Sequence, residues 1–107
     1  MKVIYVAGPY RADTEWGVVQ NIRHAEEATI RLWKEGWAVL CPHKNSALLG
    51  GSMSGNVQHD ARTWLEGGLE LLRRSDAIYM LRGWTSSQGA IEEFRLAIRL
   101  NLQTLFE

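Results

Sequence analysis

The chain has 107 residues, enough for one compact domain, and its 46% hydrophobic and 22% charged residues match an ordinary globular protein. Formal net charge is zero with no basic run, which argues against polymeric nucleic acid as a partner. No apolar stretch is long enough to span a bilayer, no signal peptide is read at Met1, and the single Cys41 excludes intramolecular disulfides and fits a reducing cytoplasm.

In chain order, Lys2 to Ala7 is a continuous β-rich run that suits a central parallel strand. It ends in the turn Gly8-Pro9, followed by Tyr10 and Arg11, and matches neither the GxGxxG nor the GxxxxGK[ST] phosphate loop. Apolar residues from Val18 to Trp33 recur at helical spacing, and Gly36 closes that helix. Glu26 and Glu27 fall on its polar side, without the further carboxylates a magnesium-holding helix needs. Ala38 to Cys41 reads as a second strand ending at Pro42. His43 to Ser46 then lead into a Gly/Ser-rich loop from Leu48 to Val57.

Helical periodicity resumes from Asp60 to Arg74, interrupted by Gly67-Gly68. Paired glycines weaken a helix by about 1 kcal/mol each, so either the helix bends there or something packs close. His59-Asp60 lacks the additional ligands of a metal centre. Ala77 to Leu81 is a third strand, broken by Gly83-Trp84. Thr85 to Gly89 form a turn, and a helix follows with Ile91, Phe94, Leu96 and Ala97 as its apolar positions. Strand, turn and helix N-terminus make an anion site, with Glu92 and Glu93 one turn inside. Thr104 to Phe106 is a last strand. Of the tryptophans, Trp33, Trp37 and Trp64 suit a core, while Trp16 and Trp84 suit a ligand cleft or subunit contact.

This alternation predicts one α/β domain over residues 1–107. It is a small doubly wound, Rossmann- or flavodoxin-like sandwich of about four parallel strands with helices on both faces. The carboxyl ends of its first three strands would bring Gly8, Pro9, Tyr10 and Arg11 together with His43, Asn45 and the segment from Gly83 to Glu93.

IYVAGPY at Ile4 to Tyr10, PHKN at Pro42 to Asn45 and SDAIYMLRGWTSSQGAIEEFRLA at Ser75 to Ala97 resemble the nucleoside 2-deoxyribosyltransferase-like superfamily. The likeness is greatest to its small, largely uncharacterised domains, which are related to 2′-deoxynucleoside 5′-phosphate N-hydrolases. It implies cleavage or transfer at the N-glycosidic bond of a nucleoside or nucleoside 5′-monophosphate. Matching the glutamate four residues after the turn glycine, Gly89, gives Glu93 as the nucleophile, oriented by Tyr5. Ser87 and Gly89, with Ser86 as a further donor, would receive the 5′-phosphate, with Arg11 beside them. Gly8, Pro9, Tyr10, His43, Asn45 and Trp84 complete the substrate-binding candidates.

At the position where related sequences carry an aspartate acid, this chain has Gly68; Asp60, swinging in, or Glu66 would have to substitute. The alternative is a nucleotide-binding module of the same fold that does not cleave its ligand. The resemblance also implies a homodimer or higher homo-oligomer whose subunits complete each other's pocket, and no metal or organic cofactor.

Overall fold

The structure, a computed structural model, describes all of residues 1–107. Strands β1 (Val3–Ala7), β2 (Ala38–Leu40), β3 (Ala77–Met80) and β4 (Gln103–Phe106) form one sheet in the order β2-β1-β3-β4. Every neighbouring pair is parallel, with Val3 opposite Ala38, Ile4 opposite Ala77 and Ala77 opposite Gln103. The connections run through helices α1 (Glu15–Lys34), α2 (Pro42–Asn45), α3 (Val57–Arg73) and α4 (Gln88–Arg99), with a 3-10 turn at Trp84–Ser86. This is the doubly wound α/β arrangement that the sequence predicts.

Strand alternation divides the core into two layers. Ile4 and Val6 of β1, with Tyr79, pack with Ala25, Ala28 and Leu32 of α1 on one face. Tyr5 and Ala7, with Ile78 and Met80, pack with Leu72 of α3 and with Ala90, Leu96 and Ala97 of α4 on the other. The period of two therefore fixes Tyr5 on the α3–α4 side. β2 and β3 lie on opposite sides of β1, so the strand order reverses there, and the crevice between β1 and β3 is where such sheets bind ligands.

The three long helices, α1, α3 and α4, start on side-chain caps. Thr14 Oγ1 accepts from Gly17 N at 2.9 Å, Asn56 Oδ1 from His59 N at 3.0 Å, and Ser87 Oγ from Ala90 N at 3.2 Å. These caps extend α1 and α3 three residues N-terminal of the ranges read from apolar spacing, because a first turn can be polar. The segment after β2 is a short helix rather than a plain loop, with Pro42 in its first turn.

Two expectations need correction. Trp33 is not core: it lies 53% exposed on the outer face of α1, which buries the smaller Ala25 and Ala28 instead. Trp16, offered for a ligand cleft or subunit contact, lies exposed in the first turn of α1 and does not line the cleft. The open question at Gly67-Gly68 resolves as close packing. α3 runs unbroken through both residues, and a Cβ on Gly68 would lie 2.8 Å from the Tyr5 hydroxyl.

Candidate functional site

Close backbone approach brings the loops after β1, β2 and β3 together. At Gly8 a Cβ would stand 2.6 Å from the Leu81 Cβ, so only glycine lets the ends of β1 and β3 run side by side. The Pro9 carbonyl accepts from His43 Nε2 at 2.8 Å, and the Tyr10 ring meets the His43 ring edge-on, which joins the first two loops. Gly83 sits at φ 90°, a conformation open mainly to glycine, and turns the chain back beside Pro9.

On α4 the spacing decides which glutamate faces inward. Ala90, Glu93, Leu96 and Ala97 recur at i, i+3, i+6 and i+7 and are buried, whereas Glu92 is exposed. Glu93 therefore points at the sheet, where the Tyr5 hydroxyl donates a hydrogen bond to its Oε2. A cleft of about 130 Å³ opens over this pair, with Tyr10, His43, Trp64 and Leu65 also in its wall. The volume is below the several hundred Å³ of a complete ligand pocket, so it would enclose the reacting part of a small molecule rather than all of it. A separate open depression of about 220 Å³ between Lys2 and Trp37 lies at the amino ends of the strands and has no buried ionisable group.

The site's electrostatics follow from burial. Glu93 is pushed up to about 7, mainly by desolvation; the Tyr5 hydrogen bond opposes the shift and the nearby Glu92 charge adds to it. Burial, and then the charge of Glu93, drives the Tyr5 phenol upward, so Tyr5 keeps its proton and acts as donor. Burial also lowers the His43 imidazole, keeping it neutral. Since Nε2 gives its proton to the Pro9 carbonyl, the other ring nitrogen, Nδ1, is an acceptor; it is buried without a partner. Trp64 Nε1, a donor, is likewise buried and unpartnered.

The structure brings Tyr5, Gly8, Tyr10, His43 and Glu93 to one cleft. Pro9 supports it through its carbonyl. Ser87 caps α4 and Gly89 lies in that helix's first turn, with space for a Cβ only 3.7 Å from Leu65. Ser86 donates to the Gly83 carbonyl at 2.8 Å. Arg11 is exposed on the loop after β1, and Asn45 is exposed at the last residue of α2. Trp84 stacks on Phe94, with ring centroids 4.7 Å apart, and on Phe106, outside the cleft wall.

Asp60 is fully buried, but its carboxylate accepts from Ser54 Oγ at 2.6 Å and Met53 N at 3.1 Å. The Ser54 hydrogen bond, followed by the backbone donors, holds it below the usual carboxylate range. It organises the loop before α3. Glu66 is exposed, 3.4 Å from Arg62, and Gly68 offers no side chain at all. No three His, Cys, Asp or Glu side chains gather where they could hold a metal ion. Trp64 is the wall residue that sequence reasoning assigned to core alone. The available signal was its position one helical turn before Gly68, on the face of α3 that meets Tyr5.

Fold and site together define a small doubly wound α/β domain with a buried, phenol-bonded carboxylate at the reversal point of its sheet. The chain belongs to the family described as a domain of unknown function, DUF4406, which it matches over residues 2–106. No curated protein matches it.

Proposed function

We propose that this domain cleaves or transfers the N-glycosidic bond of a nucleoside or nucleoside 5′-monophosphate through a glycosyl-enzyme on Glu93. The observation that carries the reading is the buried Tyr5–Glu93 pair, with a cleft above it that also takes in Gly8 and His43 just beyond the ends of β1 and β2. A carboxylate is a suitable nucleophile for an oxocarbenium-like anomeric carbon, and covalent capture divides one difficult step into two. The Tyr5 hydroxyl orients the attacking carboxylate. The capped start of α4, at Ser87 and Gly89, would receive a 5′-phosphate. His43 Nδ1 and Trp64 Nε1, an unpartnered acceptor and donor on residues of the cleft wall, are fully buried, so sugar hydroxyls would reach them only where the wall shifts on binding. The likeness of the GW, S-x-G-A and glutamate segment to nucleoside 2-deoxyribosyltransferase-like proteins supports the same chemistry.

A second reading, a nucleotide-binding module without turnover, is favoured by Gly68 at the position of an acid. The exposed Trp16, Val19, Ile30 and Trp33 share one face of α1 and support a homo-oligomer, which light scattering reads directly. To test the chemistry, purified protein is incubated with nucleosides and 5′-monophosphates, and free base is followed by chromatography. Release by wild type and not by Glu93→Gln is expected. Binding without release from any substrate would favour the module, and equal release by both proteins would remove Glu93 from the mechanism.

A further inference from the structure

The walls of the cleft bear on the leaving group, given the glycosidic reading of Glu93. Glu93 is the only carboxylic acid lining the cleft, and no lysine or arginine lines it. The remaining acids are engaged or turned away. Asp60 is held by Ser54 and Met53, Glu66 is exposed beside Arg62, Glu92 is exposed, and position 68 is glycine. His43 commits its one ring proton to the Pro9 carbonyl, and Tyr5 commits its own to Glu93. The nearby cations are also removed: Lys44 pairs with Glu26 at 2.8 Å and Arg11 is exposed.

Within one subunit the cleft therefore offers no acid to a departing base and no cation to its own carboxylate. A buried carboxylate without a positive partner is costly, and a positively charged ligand relieves that cost. A heterocycle that already carries its positive charge also leaves as a neutral molecule and needs no proton. We propose that the cleft takes N-glycosides with a cationic leaving group, of the pyridinium or N7-alkylpurinium type, and cleaves them without acid assistance. The rings of Tyr10 and Trp64 in its wall suit a flat cation.

In the first step a Glu93 oxygen lone pair forms a bond to the anomeric carbon. The carbon–nitrogen bond breaks, and its electron pair stays on the ring nitrogen and cancels the positive charge. In the second step water attacks the same carbon, the ester bond breaks with its pair returning to the Glu93 carboxylate, and the water's proton goes to solvent. The sum is cationic glycoside plus water giving neutral base, free sugar and a proton. A neutral purine on this path must leave unprotonated, and a missing general acid slows that departure by roughly 10²–10⁴-fold.

The test compares 7-methylguanosine with guanosine, and nicotinamide riboside with inosine, as nucleosides and 5′-monophosphates, using the full chain. The reading is the rate for wild type minus the rate for Glu93→Gln. A difference of roughly 100-fold or more in favour of the cationic member of each pair is expected. Binding of 7-methylguanosine should weaken in Glu93→Gln by roughly several-fold more than binding of guanosine does, as loss of one charge pair predicts. Comparable Glu93-dependent turnover of guanosine and 7-methylguanosine would overturn this inference and leave the glycosidic reading standing. No Glu93-dependent release from any member would overturn both.

Discussion

The protein buries two carboxylates, Asp60 and Glu93, and treats them in opposite ways. Asp60 accepts from a hydroxyl and a backbone N–H and is held below the ordinary carboxylate range, so its charge is stabilised where it sits. Glu93 has one phenol donor and no cation in its cleft, and burial raises it to about 7. A carboxylate satisfied by the fold is a structural fastener. One that the fold leaves under-satisfied, at the rim of a cleft, is available for chemistry.

Substitution should separate the two most sharply. Glu93→Gln is expected to lower base release by on the order of 10³-fold or more, whereas Asp60→Asn should leave the chemical step close to wild type. Single-turnover base release measures both, and a comparable loss in the two variants would erase the distinction. Stability should move the other way. The folded state prefers Glu93 protonated, so that contribution is complete below about pH 4.5 and is lost as pH rises through about 7. The loss is about 3 kcal/mol at one pKa unit per 1.36 kcal/mol. Glu93→Gln, neutral throughout, should therefore be more stable than wild type at pH 8 and similar at pH 4.5, as urea unfolding at the two pH values would show.

Smaller effects sharpen the account of how Glu93 is held. Gly68→Ala would place a Cβ 2.8 Å from the Tyr5 hydroxyl. Overpacking of that kind costs about 1–3 kcal/mol. Removing the hydroxyl with Tyr5→Phe in the same chain should recover most of the loss, and a double-mutant cycle without that coupling would refute the contact. Tyr5→Phe alone removes a hydrogen bond worth about 1.5–3 kcal/mol to a charged acceptor, so Glu93 should titrate about 1–2 pH units higher. Carboxyl-carbon NMR reads that change. Asp60→Asn should speed amide exchange at Met53 while leaving the titration of Glu93 in place.

Much of this was readable from the chain. The runs at Val3 to Ala7 and Ala77 to Met80, separated by helical periodicity, define a parallel sheet, and Gly8-Pro9 and Gly83 mark the strand ends. The resemblance assigns Glu93 rather than Glu92, and the structure adds the inward face on which Ala90, Glu93 and Ala97 are buried together. Contacts between distant segments were less legible. Local pattern does not reveal that the gap above Gly68 is filled by a tyrosine 63 positions earlier, the difference between residues 68 and 5. Nor does it reveal that Asp60 fastens the loop preceding it, or that Trp64 lines the cleft. Trp33 misled because hydrophobicity alone ranks it as core, while the tight face of α1 against the sheet has room only for alanine and one leucine.

The decisive measurement is mass-spectrometric peptide mapping of the protein quenched in acid during turnover of a substrate whose base it releases. A sugar covalently bound to the peptide that carries Glu93, absent from Glu93→Gln, is the expected result. Base release with the sugar on another residue, or with no protein-bound sugar at any quench time while wild type and Glu93→Gln release base equally, would contradict the assignment of Glu93 as nucleophile.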